Sequence, residues 1–396
     1  MTLMTHLVKE FNNLIRGELV IYLDYSATTP VDKRVLDVYC NVTSNYIGNP
    51  NSKHKLGLNS KKALDDSTEK IAKILGCKPR EIIFTSGASE GNATVMKGVA
   101  YKYCDVGNGI ITTRLEHKSI LEAASYLNTH GFNLSIVPML PNGQVDLVKL
   151  KEYVNKNTIL VSICGVNSET GFKQDLKAIR KVIKEKNPNT IFHSDLTQAL
   201  GKTDFDLNDV DMATFSSHKI YGPKGIGILY KNRKIDINKL IYATNMANPY
   251  RGGTPPLPLI VSFSKALELM YKDLDKKIEK CKLLNKKLLD GLSKYPIRIN
   301  SNETSVPQIV NFSLLKIDGM SFIKELEKYD IYVSTTTACS DESKSWLLFA
   351  LTDGDESVSE TSIRVSISHL TTEEEIDEFL KIFDKVYKKL INTSAD

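Results

Sequence analysis

The chain has 396 residues, 41% of them hydrophobic and 25% charged, and a formal net charge of +5. That length supports a large buried core and about two domains. The charge is spread too thinly to suggest direct nucleic-acid binding, and no apolar run reaches the roughly 20 residues of a membrane span.

In chain order, residues 1–18 carry Met4, Leu7, Val8, Phe11, Leu14 and Ile15 at helical spacing. This predicts a helix docked on the body or on a partner subunit. Strand-like runs follow at 81–86, 109–113, 134–139, 158–165, 190–195, 211–217 and 225–230, with helical patterns between several of them, such as 89–103 and 175–187. Such alternation predicts an α/β domain whose mostly parallel sheet lies between helices. A long helical pattern runs from about 257 to about 294. Its basic stretch, 275–289, has leucines at helical spacing and reads as a solvated helix face. The remainder, with runs at 307–314, 331–335 and 362–369, predicts a smaller α+β domain. The proline cluster "GGTPPLP" marks the expected boundary. The expected domains are therefore 20–256 and 257–396, with residues 1–19 docked on the second or on a partner.

Six cysteines, at 40, 77, 104, 164, 281 and 339, show no CxxC spacing. This argues against a metal site or a disulfide framework and for a reducing, cytoplasmic setting, with an organelle as the alternative. Five of them lie in apolar or helical contexts and read as packing. Cys339 stands in the polar stretch "STTTACSDESK", which makes it a candidate reactive thiol.

Ligands of such sheets sit at the carboxyl ends of the strands. There, "FTSGASEGN" (84–92) joins a strand to a helix whose first amides can bind an anion. "HSDLTQ" (193–198) places Asp195 at another strand end, where a carboxylate could pair with a protonated ring nitrogen. "TFSSHKIYGPKGIGILY" (214–230) surrounds Lys219 with glycines, as a Schiff-base lysine beside a bulky cofactor requires. Each motif alone also has a plain structural reading, a helix cap for the first two. Their order together points to pyridoxal 5'-phosphate (PLP).

The chain resembles the cysteine desulfurases of the fold-type-I PLP enzymes (class V aminotransferase superfamily) from about residue 21 to 377. The resemblance is carried by "IYLDYSATTPVD", "GNPNSKH", "PREIIFTSGASE", "EHKSIL", "VNSETG", "DLTQALGK", "SSHKIYGPKGIG", "TACS" and "SIRVSI", in that order. It implies that Lys219 holds the cofactor aldehyde covalently and that His117 stacks on the pyridine ring. It implies that Asp195 pairs with the ring nitrogen and that Gln198 meets the phenolic oxygen. Ala88, Ser89, Ser216 and His218 would hold the phosphate, with Thr254 reaching it from the partner of a homodimer. Arg364 would clamp the substrate carboxylate, and Cys339 would accept sulfur.

Ser168 and Ala93 stand where the family has asparagines, the former beside the phenolic oxygen, and the segment 243–254 departs from the family's glycine-rich pattern. The implied activity converts L-cysteine to L-alanine, leaves a persulfide on Cys339, and passes sulfur to an acceptor protein for iron–sulfur clusters or tRNA thiolation. A selenocysteine lyase, a β-eliminating lyase and a weakly active PLP-binding scaffold are the alternatives.

Overall fold

The computed structural model describes residues 20–243, 249–335 and 344–393, which form two compact units. Of the described residues, the larger unit comprises 26–243, 249–278 and 301–307; the smaller comprises 20–25, 279–300, 308–335 and 344–393. The expected N-terminal helix lies outside the described residues.

The larger unit is built on a seven-stranded sheet: β1 (Ile82–Thr85), β2 (Gly109–Thr113), β3 (Asn133–Val137), β4 (Thr158–Ser162), β5 (Ile191–Asp195), β6 (Met212–Ser216) and β7 (Gly227–Lys231). Every strand-like run expected for this domain is one of these strands. Their spatial order is β1-β7-β6-β5-β4-β2-β3. The pairs from β6 to β3 are parallel; only β7, wedged between β1 and β6, runs antiparallel to both. β4, β5, β6 and β7 are buried along their whole length, which is why they read as continuous apolar or small-residue runs rather than alternating ones. Helices α1 (Ala88–Lys102) and α2 (Lys118–Asn128) share one core with the sheet, in which Val95, Met96, Val99, Ile120 and Leu127 meet Ile83, Ile110, Leu160, Ile191 and Leu229.

The long helical pattern after residue 257 is two helices, Leu257–Tyr271 and Leu274–Leu292. Asp273 breaks it with φ of +60°. The first helix is then closed by Lys277, whose Nζ donates to the carbonyls of Leu269, Met270 and Lys272 at 2.5, 2.8 and 2.7 Å. Apolar periodicity runs on across the break, so the sequence pattern conceals it. The compact units divide at 278/279, inside the second helix, rather than at the proline cluster.

The smaller unit has an antiparallel sheet in the order Ser362–Ser366, Ile309–Ser313, Arg298–Ile299 and a short parallel pair, Ile21–Tyr22 with Ile331–Tyr332. Its core is aromatic. The ring of Phe383 lies 5.1 Å from Phe322, 5.8 Å from Phe312 and 4.9 Å from Tyr295, between centroids.

Candidate active site

Most of the expected site residues of the larger unit follow the carboxyl ends of β1, β2, β4, β5 and β6. At the end of β1 the chain turns through Ser86 and Gly87 into α1. Gly87 has φ of +158°, a backbone state essentially confined to glycine. A second glycine lets the turn sit low on the sheet. A Cβ on Gly227 would lie 2.7 Å from Gly87 Cα and 2.6 Å from the Phe215 carbonyl oxygen. The Gly91 amide closes on the Gly87 carbonyl at 3.2 Å, so the amides of Ala88 and Ser89 remain at the helix mouth. Ser216 Oγ faces this turn, 3.9 Å from where a Gly87 Cβ would stand. Glu90, in the first turn, accepts from the Ser86 amide at 2.7 Å and from Arg251 Nε at 3.1 Å. Burial opposes its charge, but these two donors hold its carboxyl below the ordinary value. Arg251 thus ties the turn to the segment bearing Thr254, which is itself exposed.

Lys219 lies in the connection between β6 and β7, on a single 3-10 turn (Ser217–Lys219). The segment 26–32 is laid across this connection. The Thr29 amide and hydroxyl both donate to the His218 carbonyl at 2.9 Å, the Tyr221 amide donates to Thr29 Oγ1 at 2.7 Å, and the Asp32 amide donates to the Tyr221 carbonyl at 2.9 Å. These bonds hold Tyr221 at φ +66°, a left-handed state costly for a non-glycine residue. The same segment supplies Lys219 with its partners: Nζ donates to the carbonyls of Ser26 at 2.5 Å and Ala27 at 2.6 Å. Gln198 Nε2 donates to the same Ser26 carbonyl at 2.9 Å. Gln198 Oε1 is buried without a partner among the described residues. His218 Nδ1 meets Thr28 Oγ1 at 3.1 Å, and burial together with Lys219, Lys224 and Lys202 pushes the imidazole down to about 4.

Asp195 ends β5. Its Oδ1 accepts the Thr197 amide at 2.9 Å and its Oδ2 accepts Asn92 Nδ2 at 2.8 Å. His117 caps α2, its Nδ1 accepting the Ser119 amide at 3.2 Å. Burial and the nearby Lys219 and Lys118 lower its pKa, against the pull of Asp195. Asn92, fully buried on α1, also donates to Ser119 Oγ at 2.9 Å, and Ser119 Oγ is 2.9 Å from His117 Nδ1. Asn92 and Ser119 were missed in the sequence. Both belong to quoted motifs, but a polar residue within a helix carries no signal of what it faces.

Glu116 is a second residue without an expected role. It is buried beside His117, with Oε1 accepting Thr113 Oγ1 at 2.9 Å and the Cys164 amide at 2.8 Å. Burial, reinforced by Asp195, pushes its carboxyl up to about 8. Cys164 is driven far above the ordinary thiol value by the same burial and by Glu116, which disfavours its thiolate. Ser168 lies half-buried in the turn that Asn167 organises by accepting from the amides of Glu169 and Thr170 at 2.9 and 2.8 Å.

Two expected residues are not brought into this cluster by the larger unit. Arg364 belongs to the smaller unit, where its buried guanidinium donates to Asp24 Oδ1 at 2.7 Å. Cys339 lies outside the described residues. Of the cysteines expected to be packed, Cys164 and Cys281 are buried, but Cys40 and Cys104 are exposed. For Cys40, within the helix Lys33–Asn45, a helical context does not reveal which face a residue occupies; Cys104 lies in the turn after α1. Among the described residues no helix is long and apolar enough to cross a membrane.

The Aminotransferase class-V family matches residues 21–379. A cysteine desulfurase IscS from Rickettsia bellii is 38% identical over 395 residues, covering 97% of this chain and 94% of the relative. The chain belongs to the class-V aminotransferase family, among the cysteine desulfurases. Two solved structures bear on the family's shape. A NifS-like protein superposes with a TM-score of 0.89 at 36% identity, over 94% of this chain and all of the other. A structure of SspA in complex with cysteine superposes at 0.77 with 30% identity, over 89% and 99%.

The residues of the larger unit fit the family's PLP. An open helix mouth with Ser216 beside it suits a phosphate. A buried carboxylate with one face held by Asn92 suits a ring nitrogen, and a half-buried lysine held by carbonyls suits the aldehyde.

Proposed function

We propose that this protein is a PLP-dependent cysteine desulfurase that converts L-cysteine to L-alanine and holds the released sulfur as a persulfide. The observation that carries this reading is the convergence of Lys219, Asp195 and His117 at one end of the sheet of a class-V chain, with Lys219 Nζ held by the Ser26 and Ala27 carbonyls. Bound PLP supplies the electron sink that makes the substrate's carbon skeleton reactive.

The chain's own residues supply the rest. Lys219 anchors the cofactor and, released from it, moves a proton at the substrate α-carbon. Asp195 holds the ring nitrogen, Gln198 the phenolic oxygen, and Ala88, Ser89, Ser216 and His218 the phosphate. Ser168 takes the place of the family's asparagine with a shorter reach. Cys339 as thiolate attacks the substrate sulfur: an S–S bond forms, the C–S bond breaks, and the carbon gains a proton. One cysteine and one Cys339 thiol thus become one alanine and one persulfide, with no external oxidant.

The exposure of Thr254, on a segment anchored by Arg251, supports a homodimer in which this hydroxyl reaches the phosphate of the other subunit. The persulfide requires an acceptor, and sulfur supply for iron–sulfur clusters or tRNA thiolation is the role we assign to it.

The test incubates the protein with L-cysteine and quantifies alanine, sulfide, pyruvate and ammonia with and without a thiol reductant. Alanine, with sulfide released only on reduction, is the expected result. Pyruvate with ammonia would overturn it in favour of β-elimination, and a strong preference for selenocysteine would move the assignment to a selenium lyase.

A further inference from the structure

Asn92 is fully buried, and all of its polar atoms are spent on three residues of the candidate site. Its Nδ2 contacts Asp195 Oδ2 at 2.8 Å and Ser119 Oγ at 2.9 Å, and its Oδ1 receives the Thr214 hydroxyl at 2.5 Å. The orientation of this amide follows from chemistry. A carboxylate can only accept, so the nitrogen must face Asp195. The second N–H of that nitrogen then goes to Ser119 Oγ. Having accepted there, Ser119 turns its own hydrogen to His117 Nδ1 at 2.9 Å, which also receives the Ser119 amide at 3.2 Å. With two donors on Nδ1, the neutral imidazole carries its proton on Nε2.

The backbone is shaped to allow this. A Cβ on Gly91 would lie 2.7 Å from Thr214 Cγ2, so glycine there lets α1 close on β6 and brings Asn92 within reach of the end of β5. Farther in, Thr214 Oγ1 lies 3.5 Å from His193 Nε2, and His193 Nδ1 meets Ser162 Oγ at 2.9 Å, so the chain of bonds is anchored in the sheet's interior.

We propose that Asn92 is a positioning residue: through Ser119 it fixes the Asp195 carboxylate and the His117 imidazole relative to one another and sets the tautomer that His117 presents to cofactor and substrate. This rests on the desulfurase reading for the roles of Asp195 and His117, but its test reads the imidazole itself and does not depend on turnover. The charged groups that face His117 are Asp195 from β5, Lys219 from the β6–β7 connection and Lys118 on its own helix. The variants below leave all three in place.

Protonating His117 at Nδ1 requires Ser119 Oγ to turn from donor to acceptor, which is harder while Asn92 already donates to one of its two lone pairs. Loss of Asn92 or of the Ser119 hydroxyl should therefore ease protonation. The experiment uses holoenzyme labelled with 15N in its imidazoles, with His117 assigned by the resonance missing in His117→Gln. In the parent, His117 should show a bare Nδ1 and a protonated Nε2. In Asn92→Ala and in Ser119→Ala its titration midpoint should rise by about one pH unit, the size of one hydrogen bond. The double variant should rise no further than Asn92→Ala alone, because both changes break one chain. The visible absorption of bound cofactor should change its pH dependence in Asn92→Ala and not in Ser119→Ala, since only Asn92 touches Asp195.

Unchanged midpoints, or fully additive ones, would overturn the proposal. If Asn92→Ala does not fold, Ser119→Ala decides: an unchanged midpoint and tautomer there defeat the idea, and a raised midpoint upholds it. A failure of the desulfurase assay with these shifts intact would remove the reaction and leave the coupling.

Discussion

The aromatic core of the smaller unit and the strand ends of the larger one use burial in opposite ways. In the smaller unit the buried groups are chiefly hydrocarbon, with Phe312, Phe322, Phe379 and Phe383 fully enclosed. At the strand ends of the larger unit the buried groups are polar: Asn92, Glu116, His193, Asp195 and Gln198 are all nearly or wholly out of solvent. Apolar burial contributes stability in proportion to area. Polar burial contributes little net stability but fixes orientation, since each enclosed donor must find an acceptor. A mutation in the first region should therefore be read by melting, and one in the second by chemistry.

The largest effect expected is on Lys219. Lys219→Ala should abolish alanine formation altogether, yet leave the melting temperature within a few degrees of the parent, because the Ser26 carbonyl still accepts from Gln198. Borohydride reduction followed by peptide mapping should place the cofactor on Lys219 in the parent. An adduct on Lys202 or Lys224 would break the contrast at its centre.

Phe383→Ala is the opposite case. It removes a ring that contacts five others, Tyr295, Phe312, Phe322, Phe379 and Tyr387. The expected cost is about 3–5 kcal/mol, seen by calorimetry or denaturant unfolding. A change below about 1 kcal/mol would mean the smaller unit is not held by this cluster.

Glu116 sharpens the comparison through pH. Its carboxyl is raised to about 8 in the folded state, above the ordinary value near 4.3. The folded state therefore binds the extra proton, and stability falls as pH rises through the window between those two values. Glu116→Gln keeps a neutral side chain of the same shape. It should melt close to the parent at pH 5 and above it at pH 8.5, by about 2–4 °C for each kcal/mol recovered. A parent and variant that lose stability in parallel across that window would contradict the assignment.

The smallest effect is expected at Lys277, whose ammonium closes the helix Leu257–Tyr271 on three carbonyls. Lys277→Met keeps most of the stem and loses the charge-assisted bonds, for a cost of roughly 1–2 kcal/mol in unfolding.

The inner strands β4 to β7 were legible because burial on both faces writes itself as uninterrupted apolar or small-residue runs. The positions of Lys219, Asp195 and the turn at Gly87 at strand ends were legible because each closes or follows such a run. The contacts of Asn92 were not, because they are made with three partners on other elements, Asp195, Ser119 and Thr214. Asp273 was hidden for a different reason: the residues after it resume the helical period as if nothing had happened. Cys40 shows the limit of context, since a helix exposes one face and buries the other, and Cys104 lies in the turn just past the end of α1.

The place of β7 in the sheet has a consequence for how the protein is made. It is the last strand of that sheet to be synthesised, yet it lies between β1 and β6. Until residues 227–231 emerge, a growing chain carries two strands with unpaired backbone, each a template for association with another molecule. The residues that precede β7 include Lys219, and the partners of Lys219 come from residues 26 and 27, made near the start of synthesis. Completing the sheet and seating Lys219 on the Ser26 and Ala27 carbonyls thus belong to one event in biogenesis. Chains halted at residue 226 should collect in the pelleted fraction during cell-free translation, and chains extended past 231 should not. Equal solubility of the two would show that the open edges are shielded by some earlier means.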